Sequence, residues 1–146
     1  MTIYFYSQTE EYAEFSNFAP YGVELDDEWW PTVEHYFQAQ KFLDETYRLK
    51  IRRAFKPKDA SNLGRSREFP IREDWEAVKD EVMLSAIRKK FATHPIPKKL
   101  LLSTGKQKIV ENAPMDAYWG CRPDGQGLNK LGKILVQVRE ELALQA

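Results

Sequence analysis

The sequence predicts an α+β fold, a single helix-rich domain over residues 1–146 with a small β-sheet. Three observations predict it. Strand-like segments stand only near the start and late in the chain, helical periodicity fills the stretches between, and no strand–helix–strand alternation of the doubly wound kind is present. At 146 residues the chain is long enough to enclose one core. It carries no internal repeat and no low-complexity linker.

Each element follows from local pattern. Ile3 to Tyr6 alternates and is rich in β-formers, so it reads as a strand. Tyr21 to Leu25 and Glu28 to Trp30 flank Asp26-Asp27, a pair suited to a hairpin turn. Between strand and hairpin, residues 14–20 are irregular and aromatic. A helix is expected from Thr32 to about Arg53, with Val33, Tyr36, Phe37, Ala39, Leu43, Tyr47 and Ile51 on its apolar face. Pro57 to Leu63 reads as a short helix with Gly64 as its C-cap. Trp75 to Phe91 is amphipathic, with Trp75, Val78, Val82 and Ala86 in one stripe and Met83, Ile87 and Phe91 widening it; His94-Pro95 ends it. A short helix over Lys98–Ser103, a strand at Lys108–Glu111 and a Gly/Pro loop from Gly120 to Gly127 follow. The last helix turns Leu131, Ile134, Leu135, Val138 and Leu142 toward the core.

Composition narrows the function classes. Lys+Arg and Asp+Glu both number 22, so no bulk charge attracts nucleic acid or an anionic membrane, although a local basic pocket stays open. Aromatics reach 13%; much of that is expected in the core, since large rings carry most of the burial in so small a domain, but several sit beside turn-rich segments where a ring can stack on a flat ligand. Cys121 is the one cysteine, which excludes an intrachain disulfide. With an N-terminus lacking a basic region and a long apolar run, the expected setting is a reducing cytoplasm. No stretch is apolar for the length a bilayer requires. Cys121 has no histidine near it in sequence, so it reads as a plain loop thiol.

Three constellations can carry chemistry. In the first, Trp30-Pro31-Thr32-Val33-Glu34-His35-Tyr36, Pro31 holds Trp30 extended and Thr32 is a natural N-cap. Glu34 then falls in the first helical turn, where the helix dipole favours its ionised form. A first-turn acid is often no more than that. Here Gln38 and Lys41 follow at i+4 and i+7, predicting a polar strip of carboxylate, amide and ammonium. His35 has no second ligand at i+3 or i+4, and His94 is the only other histidine, so no metal site is expected. The second constellation is Asp116-Ala117-Tyr118-Trp119-Gly120. It offers a second carboxylate and stacking rings, or else a capped turn with two core aromatics. The third, Gly127 to Lys133, meets part of the phosphate-loop pattern. Ile134 stands where that pattern needs Ser or Thr for magnesium, which rejects a nucleoside triphosphatase. A phosphate held by backbone N–H groups at the start of the last helix remains an expectation. Lys41, Arg65, Arg67 and Arg72 are candidate anion holders, Arg65 foremost because it follows Gly64.

Together these segments resemble the YbiA-like proteins of the NADAR (NAD- and ADP-ribose-associated) family. The residues carrying the likeness are Phe15-Ser16-Asn17-Phe18, the run from Trp30 to Phe42, Gly64-Arg65, Trp75, Asp116 to Gly120, and Asn129-Lys130-Leu131-Gly132. They occur in the family's order over almost the whole chain. The loop Gly120-Cys121-Arg122-Pro123-Asp124-Gly125 departs from the family's pattern, which is richer in glycine there.

The resemblance implies an N-glycosidase that cleaves the bond between a base-like nitrogen and C1 of a phosphorylated ribose. The implied substrates are ribosylaminopyrimidine 5′-phosphates of early riboflavin biosynthesis, with ribose 5-phosphate released. It implies catalytic roles for Glu34 and Asp116 and substrate contacts from Trp75, Trp119, Tyr118, Arg65, Lys41 and Asn17, with no metal and no cofactor. The partner is a small phosphorylated ribosyl compound, with neither a membrane nor an obligate protein partner. Two rivals stay open: removal of ADP-ribose from guanine bases of DNA, and a non-catalytic sensor of nucleotide metabolites. Glycosidic cleavage builds an oxocarbenium-like sugar that a carboxylate stabilises, and an ionised Glu34 suits a base or electrostatic role.

Overall fold

A computed structural model describes residues 1–6, 11–122 and 124–145. The element order is β1 (Thr2–Phe5), a 3-10 turn (Ala13–Phe15), β2 (Val23–Leu25), β3 (Glu28–Trp30), α1 (Val33–Ala39), α2 (Glu45–Arg52), α3 (Pro57–Arg65), α4 (Trp75–Thr93), α5 (Pro95–Ser103), β4 (Lys108–Glu111) and α6 (Lys130–Gln145). The α+β class predicted from sequence holds, with helices dominant. The strands form two separate pairs: β1 with β4, and β2 with β3. Residue contacts group the chain into two compact units, one of Met1–Ala19 with Phe91–Ala146 and one of Pro20–Lys90.

In the first unit β1 and β4 run parallel, in register from Thr2 opposite Lys108 to Phe5 opposite Glu111. Ile3, Phe5, Ile109 and Val110 are buried. Phe15 is wholly buried, edge-on to Phe5 with centroids 5.8 Å apart and 6.1 Å from Phe91. The predicted face of α6 is the observed one: Leu131, Ile134, Leu135, Val138 and Leu142 are all buried. Arg139 is buried on the same helix and donates to Thr104 Oγ1 and to the Gln107 carbonyl, each at 2.8 Å. Asn129, in the left-handed region at φ 52°, fastens the start of α6 to β4. Its Oδ1 accepts from the Glu111 N–H at 3.0 Å and its Nδ2 donates to the Ile109 carbonyl at 2.9 Å.

In the second unit the hairpin turn falls at Asp26-Asp27, as predicted. Both residues are left-handed, φ 56° and 64°, the mirror-image turn that matches strand twist. Tyr36 donates to Asp26 Oδ2 at 3.1 Å, and Trp30 lies edge-on to Tyr36 with centroids 5.4 Å apart.

The single helix expected from Thr32 to Arg53 is two helices. α1 ends at Ala39, Asp44 caps α2 by accepting from the Tyr47 N–H at 2.8 Å, and Phe42 makes an isolated bridge to Ile71 in the break. Arg48 holds the break closed, its Nη1 donating to the carbonyls of Ala39 and Phe42 at 3.3 and 3.1 Å. Leu43, assigned to the apolar face, is 71% exposed because it sits in this break.

Gly64 is not a C-cap. It lies inside α3, buried against α1. On α4 the buried side is Trp75, Met83, Leu84, Ala86, Ile87 and Phe91, while Val78 and Val82 are only half-buried, so the apolar stripe runs one position round from the expected one. α5 begins at Pro95 instead of Lys98, since proline is tolerated at the first helical position. Among the described residues no helix is long and apolar enough to cross a membrane.

Candidate active site

Thr32 starts α1 with an extended backbone and its Oγ1 accepts from the His35 N–H at 3.1 Å. His35 Nε2 lies 2.9 Å from the Ala54 carbonyl, which can only accept, so Nε2 carries the proton. Nδ1 then accepts from the Thr32 hydroxyl at 2.8 Å. Burial holds His35 below the usual imidazole range. This neutral histidine pins the first turn of α1 to the end of α2 and leaves no nitrogen for a metal. Among the described residues no group of three or more His, Cys, Asp or Glu is placed to hold a metal ion.

The pinned turn carries Glu34, which is 7% exposed. Gln38 Nε2, one turn along α1, donates to Glu34 Oε2 at 2.9 Å, so this part of the predicted polar strip is real. The Ser61 hydroxyl on α3 lies close to the carboxylate and favours its charged form. Its Oγ also accepts from Arg65 Nη2 at 3.2 Å. Lys41 comes from the break after α1, not from a continuing helix, and its Nζ lies 3.5 Å from the Gly64 carbonyl. One carboxyl is thus enclosed by an amide, a hydroxyl and two cationic side chains.

The enclosure sets the proton affinity of its charged groups. Burial pushes the Glu34 carboxyl above the usual carboxylate range, against the Gln38 hydrogen bond, the nearby Ser61 hydroxyl and the charges of Lys41 and Arg65, which pull it down. Lys41 is displaced the other way. Burial brings it down to about 8, with Arg67, Arg65 and Lys79 adding repulsion and Glu34 opposing them. A carboxyl of raised and an ammonium of lowered proton affinity side by side suit a site that takes and returns protons.

Trp75 is buried against Phe37, with ring centroids 5.1 Å apart, so its place is in the core of its unit. Asn17 is buried beside Ser16, whose Oγ accepts from the Phe18 N–H at 3.0 Å. Asp116 caps a turn: its Oδ1 accepts from the N–H groups of Tyr118 and Trp119 at 3.0 and 2.9 Å. Tyr118 and Trp119 are half-buried and edge-on to each other at 4.9 Å, with Lys130 Nζ 5.7 Å from the Tyr118 ring. Of what the sequence allowed, the Asp116-capped turn is observed, while its two rings are half-buried and do not close the core.

The phosphate expected at the start of the last helix is not supported. The N–H groups of Leu128, Asn129, Lys130 and Leu131 donate to the carbonyls of Ala117, Gly120, Tyr118 and Trp119, at 2.7 to 3.1 Å. Those amides are occupied by the aromatic turn itself. Ser61 was missed by sequence reasoning, although Ser61, Gly64 and Arg65 at i, i+3 and i+4 share one face of α3 and signal a polar contact. An open cleft of about 600 Å³ between α2 and α3, lined by Lys50, Arg53, Phe55 and Asn62 among others, contains none of the predicted residues.

The NADAR domain model matches residues 4–143. The chain belongs to the NADAR family. Among its NADAR relatives, the N-glycosidase YbiA of Escherichia coli (strain K12) is 50% identical over 143 residues, 98% of this chain and 89% of that one. An N-glycosidase of Nostoc punctiforme is 47% identical over 97% of this chain and 93% of its own. The maize riboflavin biosynthesis protein PYRR is 40% identical over 96% of this chain, which spans a quarter of that protein. The NMR structure of E. coli YbiA superposes with a TM-score of 0.91 at 49% identity, covering 99% of this chain and 86% of that one. NADAR membership and near full-length likeness to N-glycosidases make this chain a hydrolase acting on N-glycosyl bonds.

Proposed function

We propose that the substrate is a ribosylaminopyrimidine 5′-phosphate and that Glu34 is the carboxyl group working at C1 of its ribose. The observation that carries the reading is the enclosure of Glu34, a buried carboxyl hydrogen-bonded by Gln38 and facing the Ser61 hydroxyl and the charges of Lys41 and Arg65. The maize relative's name ties that protein to riboflavin biosynthesis, which supports the choice of base.

The chemistry follows from the groups. As the C1–N bond lengthens, positive charge gathers on the sugar and the Glu34 carboxylate stabilises it. Water adds to C1, its proton passes to a base, and the departing nitrogen gains a proton. The Glu34 carboxyl, its proton affinity raised by burial, can accept the water proton, help of about 10²–10⁴-fold in rate. Lys41 and Arg65 give the phosphate an anion-holding pair, Arg65 being exposed at the end of α3. For Tyr118 and Trp119 the family resemblance alone implies substrate contact, roughly 1–3 kcal/mol where a ring stacks on a base. For Asp116 the resemblance implies a catalytic part, and with Oδ1 committed to its turn, Oδ2 is the oxygen left to play it.

The test is release of ribose 5-phosphate from the aminopyrimidine substrate, by wild type and by Glu34→Gln. Release by wild type and a fall of at least a hundredfold in the variant are expected. No release by wild type, or equal release by both, overturns the reading.

One observation favours the DNA substrate as a second reading. Lys50, Arg53, Lys56 and Lys58 are all exposed and follow one another from α2 into α3, a local basic stretch that overall neutrality conceals. Release of ADP-ribose from ADP-ribosylated DNA, faster than release of ribose 5-phosphate from the aminopyrimidine substrate, selects it.

A further inference from the structure

We propose that Gly64 is a positioning residue for Glu34: having no side chain, it lets α3 close on α1 and hold the Gln38 amide against the carboxylate. The proposal rests on Glu34 being the reacting group.

Gly64 is not there for its own backbone. Its conformation is ordinary helix, since the glycines with positive φ are Gly105 and Gly125, and a glycine inside a helix is less favourable than alanine. What requires it is a neighbour. A Cβ at residue 64 would lie 1.9 Å from Gln38 Oε1, 2.6 Å from its Cδ and 3.0 Å from its Cβ. No atoms pack so closely, so a methyl there must move the Gln38 side chain or the helix.

Neither can move without disturbing Glu34. The Gln38 amide is the group bonded to Glu34 Oε2 at 2.9 Å, and its Oε1, buried without a hydrogen-bond partner among the described residues, has nothing else to hold it. Ser61, whose hydroxyl lies near Glu34, stands one turn before Gly64 on α3. Retreat of α3 would therefore draw the hydroxyl away as well. The close approach of two backbones is converted into the orientation of one carboxyl group.

The experiment compares Gly64→Ala, Gln38→Ala and the double variant with wild type. Steady-state kinetics are measured across pH, and the Glu34 side chain is titrated by carboxyl NMR. The charged groups facing Glu34, Lys41 and Arg65, are unaltered in all of them, as are Arg67 and Lys79, which face Lys41.

Gly64→Ala should lower kcat about tenfold with less change in KM, since one hydrogen bond to a charged group is lost. Both the acidic limb of the rate profile and the Glu34 titration should move to higher pH. Gln38→Ala should do the same, and the double variant should be no worse than Gln38→Ala, because each change breaks one shared link. Additive losses, or an unmoved Glu34 titration, overturn the proposal. Should Gly64→Ala fail to fold, recovery of folding in the double variant supports it and continued failure overturns it. NMR keeps this separate from the proposed function. A moved titration with a fully active Glu34→Gln discards the catalytic reading alone, while an unmoved titration with an inactive Glu34→Gln discards the positioning alone.

Discussion

Raising the pH from 7 to 10 should strengthen this fold, and Lys41→Met should remove most of that gain. Lys41 titrates near 8 in the folded chain against 10.5 for a free lysine. Between those values the unfolded chain binds the proton that the folded chain has released, so stability climbs with pH throughout the interval. At about 1.4 kcal/mol per pH unit of displacement, the rise from pH 7 to 10 amounts to at most about 2.5 kcal/mol. Solvent reaches part of the side chain, so about 1–2 kcal/mol is the realistic yield. Measurement must stop at pH 10. Tyr36, buried and bonded to Asp26, ionises later in the fold than in the open chain, which lowers stability above that point. Urea denaturation at half-unit intervals reads the curve. A slope that is flat in wild type, or the same in Lys41→Met, refutes the claim that burial governs this lysine.

Three further outcomes are expected. Glu34→Gln removes the charge that holds the Lys41 proton, so the Lys41 titration followed by NMR should fall below about 8. His35→Ala should cost about 3 kcal/mol by chemical denaturation, because the Ala54 carbonyl and the Thr32 hydroxyl both lose their partner. In wild type the depressed His35 should make stability decline as pH falls below 6.5, since the unfolded chain takes up the proton first. Asp116→Ala should lose about 1–2 kcal/mol in thermal denaturation through its two orphaned N–H groups, whereas Asp116→Asn keeps Oδ1 and should match wild type in stability while falling in kcat.

Much of this was legible from local pattern. The Asp26-Asp27 turn, the Thr32 cap, the buried face of α6 and the bounds of β4 each follow from residues a few positions apart. The break between α1 and α2 was not, because apolar spacing runs straight through Gln40 to Asp44. What ends α1 is Arg48 capping its last carbonyls and Phe42 bridging to Ile71, contacts that periodicity cannot register. Gly64 misled for a similar reason. A glycine after a helical run reads as a C-cap, and only the Gln38 side chain across the helix interface gives its true role. The Glu34 carboxyl was legible as a special residue but not in its proton affinity, since a helix terminus can be read from sequence and burial cannot.

The parallel pairing of β1 with β4 sets a timetable for synthesis. Thr2 leaves the ribosome well ahead of its strand partner Lys108, which follows more than a hundred positions later, some 5–20 s at ordinary elongation rates. The groups around Glu34 all fall between residues 34 and 65, so they can meet while β1 is still an unpaired edge. Nascent chains halted before Lys108 therefore carry an open apolar strand, Ile3 and Phe5 included, for a chaperone or a neighbouring chain to seize.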